Sequence, residues 1–196
     1  MLSRFLSNKI RFGNKIYNLN LSFDNVLRVF ELQEDKEILK TVKIDIMLSM
    51  LVKNKIKDMH LSDKIMLLGA IFKDYILPKS DNKKENTQKS LDFKQDASYI
   101  YAAFYRDYKI DLQNEIGKMD WRKFYALFQG LGEDNMISKI MSIRTQKIPA
   151  KNKYNAEQVD AIVKAKQTFK LENTVDNFEE EMDKLGAQLA SIAKRS

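Results

Sequence analysis

Residues 93–144 constrain the fold more tightly than any other part of the chain, because their apolar residues recur at helical spacing in three consecutive stripes. Phe93, Ala97, Ile100, Tyr101, Phe104 and Tyr108 share one face at 3.6 residues per turn. Trp121, Phe124, Tyr125, Phe128 and Leu131 form a second stripe with Leu127 at its edge, and Met136, Ile137, Ile140 and Met141 form a third. Gly130 and Gly132 separate the last two and are expected to supply the left-handed residue with which helices often end. Three short helices with such stripes bury one another, so the spacing predicts a compact helical core.

What the chain lacks bounds its chemistry. It contains no cysteine and one histidine, His60, so disulfides and thiolate metal sites are excluded and imidazole chemistry has almost no material. No glycine-rich phosphate loop, His-Glu-x-x-His helix or nucleophile elbow is present. Asp107 and Asp111 face each other only if a helix runs through Lys109, and Asp111 is expected to turn the chain instead. The expectation is a protein that is not an enzyme and that uses no cofactor and no metal. The longest apolar run, Ile65 to Phe72, is far shorter than the roughly 20 residues of a membrane span, and the first ten residues lack a continuous apolar core. No membrane association is expected.

The formal charge is +7 with a pI near 9.3, which raises the question of nucleic acid. The excess is spread thinly, and residues 91–144 are neutral, with eight basic and eight acidic side chains. Lys, Asn and Ile are abundant together, so a general basicity is expected and a dedicated nucleic-acid surface is not.

From the N-terminus, Ile10, Phe12, Ile16, Leu19 and Leu21 alternate around Gly13-Asn14, which suits a small hairpin. Ser22 stands where its hydroxyl can cap a helix carrying Phe23, Val26, Leu27 and Phe30. A second helix is expected between Ile38 and Val52 with Ile44, Met47, Leu48 and Leu51 inward. A third begins at Ser62, with Ile65, Met66, Leu68, Gly69 and Phe72 inward, and stops before Pro78. Residues 1–77 thus read as a helical N-terminal half. Residues 78–90, PKSDNKKENTQKS, offer no apolar side chain beyond the proline ring to offset the entropy of ordering. They read as a polar loop or linker, followed by the aromatic helical core over 91–145.

Residues 146–196 carry two more helices, the first behind Asn155 with Val159, Ile162, Val163 and Phe169 on one side. In the last, Val175, Phe178, Met182, Leu185, Leu189 and Ile192 are spaced 3, 4, 3, 4, 3, an a/d heptad seam. Its acidic residues lie at the start and Lys194-Arg195 at the end, as the helix dipole favours. Such a seam seeks an apolar surface, and three remain open: the protein's own core, a second copy of the chain, or a partner helix. The fold class expected is all-α, with six to eight helices, a small N-terminal β-hairpin and an amphipathic C-terminal helix.

One resemblance adds to this reading. Asp96, Tyr99-Ile100-Tyr101, Phe104, Asp107-Tyr108 and Ile110-Asp111-Leu112, followed by Trp121, Phe124, Ala126-Leu127, Gly130-Leu131, Asp134, Ile140 and Ile143-Arg144, resemble the pattern of the tailed-bacteriophage family known as gene product fifteen. The gene of that family usually lies between those of the major tail protein and the tape measure protein. The resemblance implies a tail assembly chaperone in the host bacterial cytoplasm, holding the tape measure protein soluble while the tail tube polymerises, and self-associating as a homo-oligomer. It makes Tyr99, Tyr101, Phe104, Tyr108, Trp121, Phe124, Leu127, Gly130 and Arg144 the family-like motif, and the seam from Val175 to Ile192 the candidate surface for the partner or for self-association. The alternatives are a structural tail component and a basic nucleic-acid-binding helical protein.

Overall fold

The computed structural model describes residues 6–56, 58–77 and 90–172. The polar stretch 78–89 and the heptad seam lie outside these residues. In chain order the elements are β1 (Lys9–Phe12), β2 (Lys15–Asn18), α1 (Phe23–Glu34), α2 (Lys40–Leu51), α3 (Leu61–Ile71), α4 (Ala97–Tyr108), α5 (Trp121–Gln129), α6 (Met136–Thr145) and α7 (Ala156–Thr168). The fold is helical with one two-stranded antiparallel hairpin, as the apolar spacing predicts. It falls into two compact units. Unit one holds the described residues up to Leu77 together with Ile116–Tyr125, and unit two holds those of 90–115 and 126–172.

In unit one the hairpin pairs Ile10 with Tyr17 and Phe12 with Lys15, and Gly13 turns it at φ +56°, a conformation open to glycine at no steric cost. The chain then runs extended through Leu19–Ser22, where it is bracketed on both sides. Asn20 N donates to Leu51 O at 2.8 Å and Lys53 N to Asn18 O at 2.8 Å, while Trp121 N donates to Leu21 O at 2.7 Å and Phe23 N to Met119 O at 2.9 Å. Leu19 and Leu21 are almost fully buried there. α1 packs on α2 and α2 on α3. All four residues expected to face inward on α2, namely Ile44, Met47, Leu48 and Leu51, are buried.

Two local readings need correction. Met66 points outward and is 55% exposed, because the run Ile65–Phe72 is apolar all round; Leu67 and Ile71 take the inward places. The Ser22 hydroxyl does not cap α1; it reaches Asn20 Oδ1 at 3.3 Å. Asn25 secures the entrance instead, donating to Asn20 O at 3.0 Å and Met50 O at 2.9 Å. After α3 the chain makes one π-helical turn over Phe72–Ile76 that buries Phe72 and Ile76.

In unit two α4 packs on α6, and α6 on α7. Its core is Ile100, Ala103, Phe104, Phe128, Ile137, Ile140, Val159 and Leu171. Ala97 is exposed and Ala103 buried, so the stripe of α4 is rotated from the one expected. Met136 is exposed as well, at the first position of α6. The left-handed residue falls at Lys109, with φ +57°, ending α4 before Asp111 can face Asp107 along a helix. Gly130 and Gly132 have no positive φ, against expectation. Asn135 caps α6, its side chain accepting from Ser138 N at 2.9 Å, whereas Asn155 at the start of α7 accepts from Asn152 N at 2.7 Å and makes no cap.

Candidate functional site

The motif residues gather in three places. In unit two, Arg144 near the C-terminus of α6 is 5% exposed and meets Asp96, 1% exposed, at the start of α4. Its Nη1 donates to Asp96 Oδ2 at 2.6 Å and its Nη2 to Asp96 Oδ1 at 2.8 Å, the forked geometry that suits a carboxylate. Two further donors are used as well, with Nε on Phe169 O at 2.6 Å and Nη1 also on Ser90 O at 3.0 Å. Asp96 Oδ2 accepts from Asp92 N at 3.0 Å, and Lys166 Nζ donates to the carbonyl of Arg144 at 2.6 Å. One buried charge pair therefore holds the segment before α4, the end of α6 and the end of α7.

The second place is the contact between α4 and its neighbours in unit two. Tyr108 donates its hydroxyl to Leu127 O at 2.8 Å, and burial raises its pKa. A Cβ at Gly130 would stand 3.0 Å from that hydroxyl oxygen, so a side chain there would press on the tyrosine, whereas no positive φ calls for glycine. Tyr101 donates to Asp111 Oδ1 at 3.1 Å, which raises its pKa because the carboxylate stabilises the protonated phenol. Asp111 also accepts from Gln113 N at 3.0 Å and so turns the chain. Asp107 is held below the usual carboxylate range by Arg106 at 2.7 Å and by Gly132 N at 3.2 Å. Phe104 is fully buried, while Tyr99 and Leu127 are half-buried.

The third lies in unit one. Trp121 is buried; its indole N–H donates to Ile76 O at 2.8 Å, and its ring meets Phe30 edge-on at 5.4 Å and stacks on Phe124 at 5.6 Å. Phe124 in turn stacks on Phe23 at 4.9 Å. Next to Trp121, Arg122 donates to both oxygens of Asp120 at 2.8 Å and to Asn8 Oδ1. Its guanidinium also lies over the Tyr75 ring at 5.5 Å. Asp24, at the start of α1, accepts from Gly117 N at 2.8 Å and from Arg28 at 2.8 Å. Burial works against its ionisation, but those hydrogen bonds and that of Ser22 outweigh burial and lower its pKa.

These side chains are thus committed to packing within the two units. Val175, Phe178, Met182, Leu185, Leu189 and Ile192 lie outside the described residues. The apolar surface that the described residues do offer was not picked out by inward spacing. It includes Leu39, Val42 and Met66 on α2 and α3, and Ile148 and Tyr154 between α6 and α7. The signal for the first two lies in the sequence, as an apolar row Leu39, Val42, Ile46, Met50 behind the inward row of α2. Beside α2 a hollow of about 470 Å³ is lined by Asp45, Lys53, Lys55 and Lys64 among others, with Lys64 Nζ 2.8 Å from Asp45. Among the described residues no group of His, Asp and Glu is arranged to hold a metal ion, and no helix is long and apolar enough to cross a membrane.

No curated protein and no solved structure matches the chain. A family model described as Bacteriophage Gp15 protein matches residues 3–171, which spans both units and every residue of the motif. The chain belongs to this bacteriophage Gp15 family, and is accordingly a phage protein concerned with virion structure or morphogenesis.

Proposed function

We propose that this chain is a non-catalytic tail assembly chaperone that binds apolar helical segments of the tape measure protein in the host cytoplasm and keeps them soluble until the tail tube encloses them. Family membership over residues 3–171 is the observation that carries this reading. The heptad seam that follows supports it. Six apolar residues spaced for a coiled coil are each worth about 1.5 to 3 kcal/mol when fully buried, enough to mask a complementary helix. The same seam supports self-association of the free protein.

Co-expression with the tape measure protein, followed by affinity capture and light scattering, tests the reading. The expected result is a soluble complex where the tape measure protein alone precipitates, and loss of that complex in the full-length variant Leu185→Asp, Leu189→Asp. Tape measure protein that stays insoluble in the presence of this chain refutes it, and stoichiometric copies in purified virions would make the protein a tail component instead.

A further inference from the structure

α2 is apolar on two opposite sides, although a helix at the surface of a globular unit needs only one such stripe. Ile44, Met47, Leu48 and Leu51 fill the core of unit one, and Leu39, Val42, Ile46 and Met50 follow at spacings of three, four and four on the far side. Leu39 is 73% exposed and Val42 45%, with Ile46 and Met50 half-buried. A continuous apolar row of this kind marks a surface that another surface covers.

The charges around the row select that surface. In the middle of α2 both are already engaged, Lys43 donating to Gln33 O at 2.7 Å and Asp45 pairing with Lys64 at 2.8 Å. Lys40 stands about 120° round the helix from Ile46. The two ends differ in sign. The turn before α2 carries Glu34, Asp35 and Glu37 against Lys36, whereas the segment after it carries Lys53 and Lys55 with no acid between them. Glu37, Lys53 and Lys55 are exposed. A row that is acidic at one end and basic at the other repels a copy of itself laid parallel and attracts one laid antiparallel. With a two-fold axis between Val42 and Ile46, antiparallel pairing sets Leu39 against Met50 and Val42 against Ile46. It also carries the turn 34–37 onto residues 52–55 of the second copy. Apolar residues then meet apolar ones and each acidic end meets a basic one, as a surface that pairs with itself requires.

We propose that α2 pairs antiparallel with α2 of a second copy of this chain through the Leu39, Val42, Ile46, Met50 face, forming a symmetric dimer. Twelve residues of helix, about 18 Å, are short beside a stable interface of roughly 1,200 to 2,000 Å². The dimer is therefore weak and depends on concentration. It is separate from association through the C-terminal seam, and it rests on no property of a client protein.

The test uses the full-length chain with Leu185→Asp and Leu189→Asp, so that the seam does not contribute. Sedimentation from about 5 to 500 µM is expected to show a monomer passing to a dimer. Val42→Glu should weaken this at least tenfold, while Met66→Glu, at an exposed position on α3, should leave it unchanged. Glu37→Lys should weaken it about two- to fivefold, as loss of an exposed ion pair does, and adding Lys53→Glu should restore it. Cross-linking reads the direction of pairing, because the chain has no cysteine of its own. Cysteines bridge only when their Cα atoms come within about 7 Å. Copies carrying Leu39→Cys, mixed with differently tagged copies carrying Met50→Cys, should form an intermolecular disulfide about tenfold faster than either variant alone, since their pairing raises effective concentration. A monomer at every concentration, equal effects of Val42→Glu and Met66→Glu, no restoration by Lys53→Glu, or faster cross-linking of either variant alone would overturn the proposal. No client protein enters these assays, so their outcome and that of the co-expression experiment are independent.

Discussion

Arg144 and Asp96 stand 48 residues apart and form a two-pronged ion pair of 2.6 and 2.8 Å, with two further guanidinium donors placed on the carbonyls of Phe169 and Ser90. Such a pair need not stabilise a fold relative to apolar residues of the same volume, but breaking it strands a charge in a buried site. Asp96→Asn or Arg144→Met alone should therefore cost about 3 to 5 kcal/mol in chemical denaturation. The double variant Asp96→Leu, Arg144→Met should cost clearly less than the sum of the two. Strict additivity would show that the two charges do not act as a unit. Arg144→Lys should also destabilise, since one ammonium cannot replace a fork that serves Asp96, Phe169 O and Ser90 O together.

Trp121 provides its own reporter, as the only tryptophan in the chain. Its indole N–H satisfies the carbonyl of Ile76, which closes the π-helical turn, and its ring lies between Phe30 and Phe124. Trp121→Phe keeps an aromatic ring but leaves that buried carbonyl unpaired, which should cost about 1 to 3 kcal/mol. Phe124→Ala removes the ring that links Trp121 to Phe23 and should cost about 3 to 5 kcal/mol. In the second variant the tryptophan remains, so its emission is expected to shift to the red in the folded state before denaturant is added. An unshifted spectrum would place the indole in a cluster that does not depend on Phe124.

The parts of this fold that were legible in the sequence are those set by local period. The hairpin about Gly13-Asn14, the inward row of α2 and the positions of the helices all follow from spacing that each segment carries by itself. Period fails where a segment is apolar all round: nothing in Ile65–Phe72 says that Met66 faces water, and only the packing of α3 decides it. It also fails where one residue answers to a distant one. Gly130 follows the end of α5 without a positive φ, and what its missing side chain does there is spare a tight approach to the hydroxyl of Tyr108. Arg144 and Asp96 both belong to the family-like pattern, but their bond is a property of how α4 and α6 pack. The bonds from Gly117 to Asp24 and from Trp121 to Leu21 join segments about a hundred residues apart that carry no signal for each other.

Asp24 should leave a mark on acid stability. Its carboxyl ionises more readily in the fold than in the unfolded chain, because Gly117 N, Ser22 and Arg28 stabilise the anion against the opposing effect of burial. A carboxylate with a lowered folded pKa contributes stability that is complete above the unfolded pKa and is lost as pH falls through the folded one. Asp24→Asn should accordingly be less stable than the parent near pH 6, and the difference should shrink steadily below about pH 4. Urea midpoints measured from pH 6 to pH 2 check this. A difference that stays constant across that range would assign the effect of Asp24 to its hydrogen bonds alone, independent of charge.

Gly130 and Tyr108 should prove coupled. A methyl group at position 130 would meet the Tyr108 oxygen at 3.0 Å, and that hydroxyl is held in place by its bond to Leu127 O. Gly130→Ala must displace the phenol or the end of α5, an overpacking cost of about 1 to 3 kcal/mol. Tyr108→Phe removes the obstructing oxygen and sacrifices the hydrogen bond, at a net cost of about 1 kcal/mol. In the double variant the methyl group has room, so Gly130→Ala should be nearly neutral when measured in the Tyr108→Phe background. A coupling of at least 0.5 kcal/mol is what residues in direct contact show, on the order of what denaturation can resolve. Were Gly130→Ala equally costly in both backgrounds, the glycine would be needed for the backbone at the end of α5 and not for the tyrosine beside it.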